Sequence, residues 1–169
     1  MITRQQAREL LESDDLIGLG AEANNVRTQV SPPNIISYSF VPSDHRLKIH
    51  FSSLEEIDDC LDRLESARHK LQTSPEMVAI EPCFDGSAAE YLKLLAVSRI
   101  FCNTVPNVQT SASLGLKICQ IALKFGANDI NGAEGETLRA TEEDIRRVIR
   151  DAGYVPKQRD ARFRLYSLL

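Results

Sequence analysis

From Met77 onward the chain alternates three times between a short apolar stretch and a capped amphipathic helix, and this rhythm constrains the fold most. Met77–Glu81, Val108–Thr110 and Ala127–Asn131 read as strands. Ser87 with Glu90 opens a helix carrying Tyr91, Leu94, Leu95, Val97 and Phe101. Ser113 opens another, with Leu116, Ile118, Cys119, Ala122 and Phe125, closed by Gly126. Thr141 with Asp144 opens the last, with Ile145, Val148 and Ile149, ending at Gly153 before an extended piece over Tyr154–Arg159. Each opening pair satisfies amide groups that a first helical turn leaves unpaired. Repeated strand–helix units pair in parallel with right-handed crossovers. The expected fold class is α/β, a partial (half) TIM-type βα barrel.

Two helices precede this region. Thr3 and Gln6 form a capping box, and Leu16, Leu19, Ala23, Val26 and Val30 recur at helical spacing until Ser31-Pro32-Pro33 stops the run. Ile36, Tyr38 and Phe40 then alternate with serines. After Pro42-Ser43-Asp44, Leu47, Ile49 and Phe51 alternate with Arg46, Lys48 and His50. Period-two alternation around a turn cluster predicts a half-exposed β-hairpin with its polar face in solvent. Ser53 and Glu56 are placed to cap a long helix through Leu71, with Leu54, Ile57, Leu61 and Leu64 inward and an acidic run from Glu55 to Glu65 outward. The chain reads as one domain: a helical lead over 1–33, a hairpin over 34–52 and βα units over 53–169.

Composition narrows the function classes. The 169 residues are 43% apolar and 26% charged, with a net charge of −4. That composition suits one well-buried globular domain and excludes a wholly disordered chain. The acidic balance argues against a nucleic-acid partner, and no apolar run reaches membrane-spanning length. Met1–Asp14 is too polar to serve as a signal peptide. Cys60, Cys83, Cys102 and Cys119 form no C-x-x-C pair, so neither a zinc knuckle nor a secreted disulfide framework is indicated. A reduced, cytoplasmic protein is expected.

Several motifs between Glu90 and Asp160 carry a resemblance. They are Glu90-Tyr91-Leu92-Lys93, Ala96-Val97-Ser98-Arg99, Asn107-Val108-Gln109-Thr110-Ser111, Phe125-Gly126-Ala127-Asn128-Asp129, Thr141-Glu142-Glu143-Asp144-Ile145 and Gln158-Arg159-Asp160. In order and spacing they resemble the C-terminal part of the radical SAM enzymes of futalosine-dependent menaquinone synthesis and their relative FO synthase. The Ala7–Val30 segment resembles the leading helices of the same family. The resemblance implies a βα barrel whose first strand is followed by a Cys-x-x-x-Cys-x-x-Cys loop. In the family that loop holds a four-iron cluster that cleaves S-adenosylmethionine. Here the corresponding residues are Phe40-Val41-Pro42-Ser43-Asp44-His45, without cysteine, and the central barrel strands are missing. The expectation is a family member with its middle removed, no iron–sulfur cluster and no cofactor.

Ligands of parallel βα folds sit at the carboxyl ends of the strands. Reading those ends gives Glu81 and Cys83, Gln109 and Ser111, then Asn128, Asp129 and Asn131, followed by Glu134 and Glu136 in the next loop. The resemblance puts Gln109, Ser111, Asp129 and Glu136 on the substrate side, although Ala133-Glu134-Gly135 departs from the family pattern. The candidate acid–base residues are therefore Asp129, Glu136, Glu81 and Glu134, and the candidate ligand-binding residues Gln109, Ser111, Asn128 and Asn131. Asn and Asp serve turns equally well without any ligand. His45, His50 and His69 do not cluster as metal ligands require, so no metal site is expected. Lys157, Arg159, Arg162 and Arg164 read as a solvated basic tail.

Two functions follow as expectations. In the first, the chain is a cluster-less remnant that binds a small molecule or serves a full-length enzyme partner as an accessory subunit. In the second, it performs cofactor-free acid–base chemistry on an aromatic or conjugated small molecule. A half barrel exposes two sheet edges, so a homodimer is expected, with Arg162 and Arg164 meeting Asp58 and Asp62 of the second copy.

Overall fold

A computed structural model describes residues 1–132 and 140–167. Helices α1 (Arg4–Glu12) and α2 (Leu16–Val30) lead into β1 (Ile35–Ser39) and β2 (Arg46–His50). Then follow α3 (Ile57–Thr73), β3 (Ala79–Cys83), α4 (Ala88–Phe101), β4 (Asn107–Ser111), a 3₁₀ turn over Ala112–Leu114 and α5 (Leu116–Ala122). The chain continues through β5 (Asp129–Asn131), α6 (Glu142–Asp151) and β6 (Val155–Gln158). All six strands run parallel in the order β2-β3-β4-β5-β1-β6. This is the expected partial barrel. None of its described helices is long and apolar enough to cross a membrane.

Three of the four expected capping boxes form. The side chains of Thr3, Ser87 and Thr141 each accept the N–H three residues on, and Gln6, Glu90 and Asp144 reach back in return. The fourth does not. Helix α3 starts at Ile57 after Glu56, whose side chain makes no capping bond. Ser53 Oγ instead accepts the N–H of Glu55, a local turn that competes with the helix start. Likewise α5 begins at Leu116 and not at Ser113, because Ser113 closes the 3₁₀ turn with Ser111 and Gly115 (φ +102°) then redirects the chain. Gly126 (φ +98°) follows α5, and a β-carbon there would lie 2.8 Å from Arg99 Cγ. Only glycine permits both that backbone and that approach.

The hairpin is overturned. β1 and β2 are not paired with each other: β1 lies between β5 and β6, and β2 pairs only with β3. Alternation specifies two faces of a strand but not its neighbours. The polar faces also point the other way from expectation, since Ser37 and Ser39 are 6% and 1% exposed. Ile36, Tyr38, Ile49, Ile80, Val108 and Ile130 face the helices and are buried there. Tyr91 of α4 bonds Thr110 of β4 at 2.8 Å on that side, and Tyr38 donates to Glu142 of α6 at 2.6 Å. The opposite, concave face is polar.

Two segments lie across the concave face where further barrel strands would otherwise close it. The loop over Phe40–His45 joins β1 directly to β2, and its buried Ser43 donates to the carbonyl of Ala161 at 2.5 Å. The tail after β6 turns back so that Arg159 bridges Leu165 in antiparallel fashion and Tyr166 N–H reaches Gln158 O at 2.9 Å, covering the outer edge of β6. The acidic face of α3 is engaged within the chain. Arg4 meets Asp58, Asp62 and Glu65, and Arg8 meets Asp58. Arg164 likewise pairs with Asp160. Of the groups expected to bridge two copies, Asp58, Asp62 and Arg164 hold partners within the chain.

Candidate functional site at the concave face

Strand register places one polar residue of every strand in a single row. Lys48 is level with Glu81, and Ile80 with Val108, which brings Glu81 level with Gln109. Gln109 is level with Asp129, Asp129 with Ser37, and Ser37 with Lys157. A second row two residues on holds His50, Cys83, Ser111, Asn131 and Ser39. Residues two apart share a face, so both rows point into the concavity.

Asp129 is the hub. It is fully buried, and Arg159 grips it with two bonds, Nε to Oδ2 at 2.5 Å and Nη2 to Oδ1 at 2.9 Å. Gln109 Nε2 donates to Oδ1 at 2.5 Å and Ser37 Oγ to Oδ2 at 2.5 Å. Arg46 Nη1 in turn donates to Gln109 Oε1 at 2.8 Å and lies 2.9 Å from Glu81 Oε2. Two guanidinium groups thus organise two carboxylates through one amide. Such buried charges persist only when paired and hydrogen-bonded. The four bonds into Asp129 occupy both its oxygens, so the arrangement positions groups and leaves this carboxylate no lone pair aimed at a ligand.

Of the candidate residues, Glu81, Gln109, Ser111, Asp129 and Asn131 are brought together on this face. Asn128 is not among them. It precedes β5 at the opposite pole, where its Oδ1 accepts from Arg99 Nη2 and from Val108 N–H, both at 2.8 Å. Its Nδ2 donates to Pro106 O at 3.1 Å. Arg99 also bonds the carbonyls of Gly126 and Val105, so the pair clamps three loop ends together. Burial lowers the Arg99 pKa to about 9, which still leaves the guanidinium charged at neutrality. Glu134 and Glu136 lie outside the described residues.

Sequence reasoning missed Ser37, Arg46, Lys48 and Arg159. Arg159 is not part of a solvated tail: it is 1% exposed and ion-paired. The signal was present in the alternation of Arg46, Lys48 and His50 with apolar residues, but it was assigned to a solvent face. Above the Glu81 row, at the carboxyl ends of β2–β4, Lys48, Glu81, Cys83, Asp85, Ser111 and Ser113 line a cavity of about 170 Å³.

Residues 76–168 match the family model described as the CofH/MqnC C-terminal region. The chain belongs to this family. The 5-amino-6-(D-ribitylamino)uracil–L-tyrosine 4-hydroxyphenyl transferase of Methanothermobacter thermautotrophicus is 40% identical over 91 residues, 46% of this chain and 25% of the relative. Aminodeoxyfutalosine synthase of Streptomyces coelicolor is 32% identical over 111 residues, 58% of this chain and 27% of the relative. A second transferase, from Methanosarcina acetivorans, is 28% identical over 193 residues, 89% of this chain and 50% of the relative. The chain spans a quarter to a half of the length of these curated relatives. The last alignment is longer than the chain itself, so it contains residues of the relative without a counterpart here.

CofH/MqnC resemblance implies an iron–sulfur cluster, and the residues present do not fit one. The loop after β1 has no cysteine. Cys60, Cys102 and Cys119 are buried and dispersed over α3, the end of α4 and α5, where desolvation pushes their thiols up to about 11, 12 and 12. Among the described residues no group of His, Cys, Asp and Glu is arranged to hold a metal ion.

Proposed function

We propose that this chain is a cluster-less member of the CofH/MqnC family that binds a small polar ring compound at the carboxyl ends of β2–β4. The observation that carries this reading is the convergence of Lys48, Glu81, Ser111 and Ser113 on one cavity, above a layer fixed by Arg46 and Arg159. A cation, a carboxylate and two hydroxyls line this one mouth, side chains of the chemical kinds that recognise a heterocycle carrying both donors and acceptors. The name of the transferase relatives points to the same class, since their ligand is an aminouracil. Binding fits better than acid–base catalysis, because Asp129 is saturated by its own partners. All four cysteines are free thiols, as a reducing cytoplasmic setting would keep them.

Calorimetric titration with 5-aminouracil tests the reading. Saturable binding is expected, with Ser111→Ala and Lys48→Met each weakening it roughly tenfold, about 1.4 kcal/mol. No binding, or an affinity in both variants equal to that of the unaltered protein, would sink it.

A further inference from the structure

The buried polar row divides the concave side of the sheet into two chambers. The mouth at the carboxyl ends lies above it. Below, at the amino ends of the strands, a second cavity of about 310 Å³ lies under the tail, a volume within the range of small-molecule sites. Its walls are mainly aliphatic, from Pro32, Ile35, Val78 and Pro106, with Phe163 and Arg162 of the tail at the rim. The polar atoms of its floor are already committed. Ser37 Oγ donates to Asp129, and Asn128 Nδ2 to Pro106 O and to Asn107 Oδ1.

The tail is built to hold its two residues there. Asp160 Oδ1 accepts the N–H groups of Arg162 and Arg164 at 2.8 and 3.0 Å, and Asp160 N–H donates to Arg164 O at 2.9 Å. This knot keeps Phe163 at φ +62°, the one non-glycine residue with positive φ among those described, and seats its ring 3.8 Å from the Arg159 guanidinium carbon. Strained backbone of this kind persists where its surroundings over-determine it, and it clusters at ligand clamps. The three tail arginines then differ in a telling way. Arg159 is paired with Asp129 and Arg164 with Asp160, whereas the Arg162 guanidinium has no acceptor among the described residues. One uncommitted cation thus stands at the entrance of a mainly aliphatic chamber whose polar floor side chains already hold partners within the chain.

From this we infer that the lower chamber is a second binding site, for a short-chain aliphatic carboxylate. The hydrocarbon tail lies against Ile35, Val78 and the two prolines, and Arg162 takes the carboxylate through its two-pronged fork. The inference is independent of the ring compound assigned to the mouth.

The probe is octanoate, followed by titration calorimetry and by the methyl resonances of Ile35 and Val78. Saturable binding that shifts both methyls is expected. Arg162→Gln should weaken octanoate at least tenfold while leaving 1-octanol, its neutral counterpart, unaffected. Acetate, the bare carboxylate, should not bind. Phe163→Gly suits the positive φ and removes the wall, so it should weaken octanoate and octanol together. Ser111→Ala, at the other pole, should leave octanoate binding unchanged. Equal octanoate affinity in Arg162→Gln would overturn the proposal, as would shifts confined to the mouth or no saturable binding.

Discussion

Asp129 and Ile130 are neighbours in the chain, both fully buried, and they face opposite sides of the same sheet. Ile130 packs among the helix-side aliphatic residues, where each methyl group contributes on its own and a loss is local. Asp129 sits in a network whose members satisfy one another, where removing one leaves the rest buried and uncompensated. The helix side therefore tolerates graded change, and the concave side does not. The volume of a side chain matters on one face; the completeness of its bonding matters on the other.

The sharpest test is Asp129→Ala. It leaves Arg159 charged and buried, so a loss of about 3–5 kcal/mol is expected in urea denaturation. The double variant Asp129→Leu with Arg159→Met should recover part of that loss, since it removes the unpaired buried charge but leaves Gln109 Nε2 and Ser37 Oγ without their acceptor. A single variant that costs under about 1 kcal/mol would mean that water reaches the row and the contrast between faces fails.

Ile130→Val provides the graded counterpart. A cost of about 0.5–1.5 kcal/mol is expected from one lost methylene, again in urea denaturation. A cost as large as that of Asp129→Ala would place the cooperative network on the helix side too.

The smallest effect concerns acid. Hydrogen bonds from Ser87 and Thr141 hold the Glu90 and Asp144 carboxyls below their ordinary values of 4.5 and 3.8. The unfolded chain therefore binds more protons, and this contribution is present at neutral pH and lost as pH falls through the folded values. Denaturation midpoints should decline on the acid side, and the pair Ser87→Ala with Thr141→Ala should show a shallower decline. An unchanged slope would assign the acid sensitivity to other carboxylates.

Local chemistry was legible where it closed over a few residues. The boxes at Thr3, Ser87 and Thr141 need only a side chain and an amide three positions away. Ser53 shows the limit of that reading, since the same spacing also permits a tight turn at Glu55. In the site, Glu81, Gln109, Ser111, Asp129 and Asn131 were legible from strand ends and alternation. Arg46 and Arg159 were not, because their partners lie far away in sequence, 63 residues for Arg46 with Gln109 and 30 for Arg159 with Asp129. Asn128 was misplaced by a single position: one step before the strand puts it at the other pole, in the grip of Arg99.

By itself the sequence determined the alternation of strands and helices, most helix starts, the parallel α/β class and the helices that hold the buried cysteines. Each of these depends on side-chain period or on contacts within one turn. Tertiary structure decided which strands are neighbours, and so which polar face became an interior. With β1 set between β5 and β6 and β2 at the far edge, residues that alternate as a solvent-exposed hairpin would are turned inward and must satisfy one another. Strand order is set by long-range packing free energy, to which a short stretch of sequence contributes only its share of apolar surface.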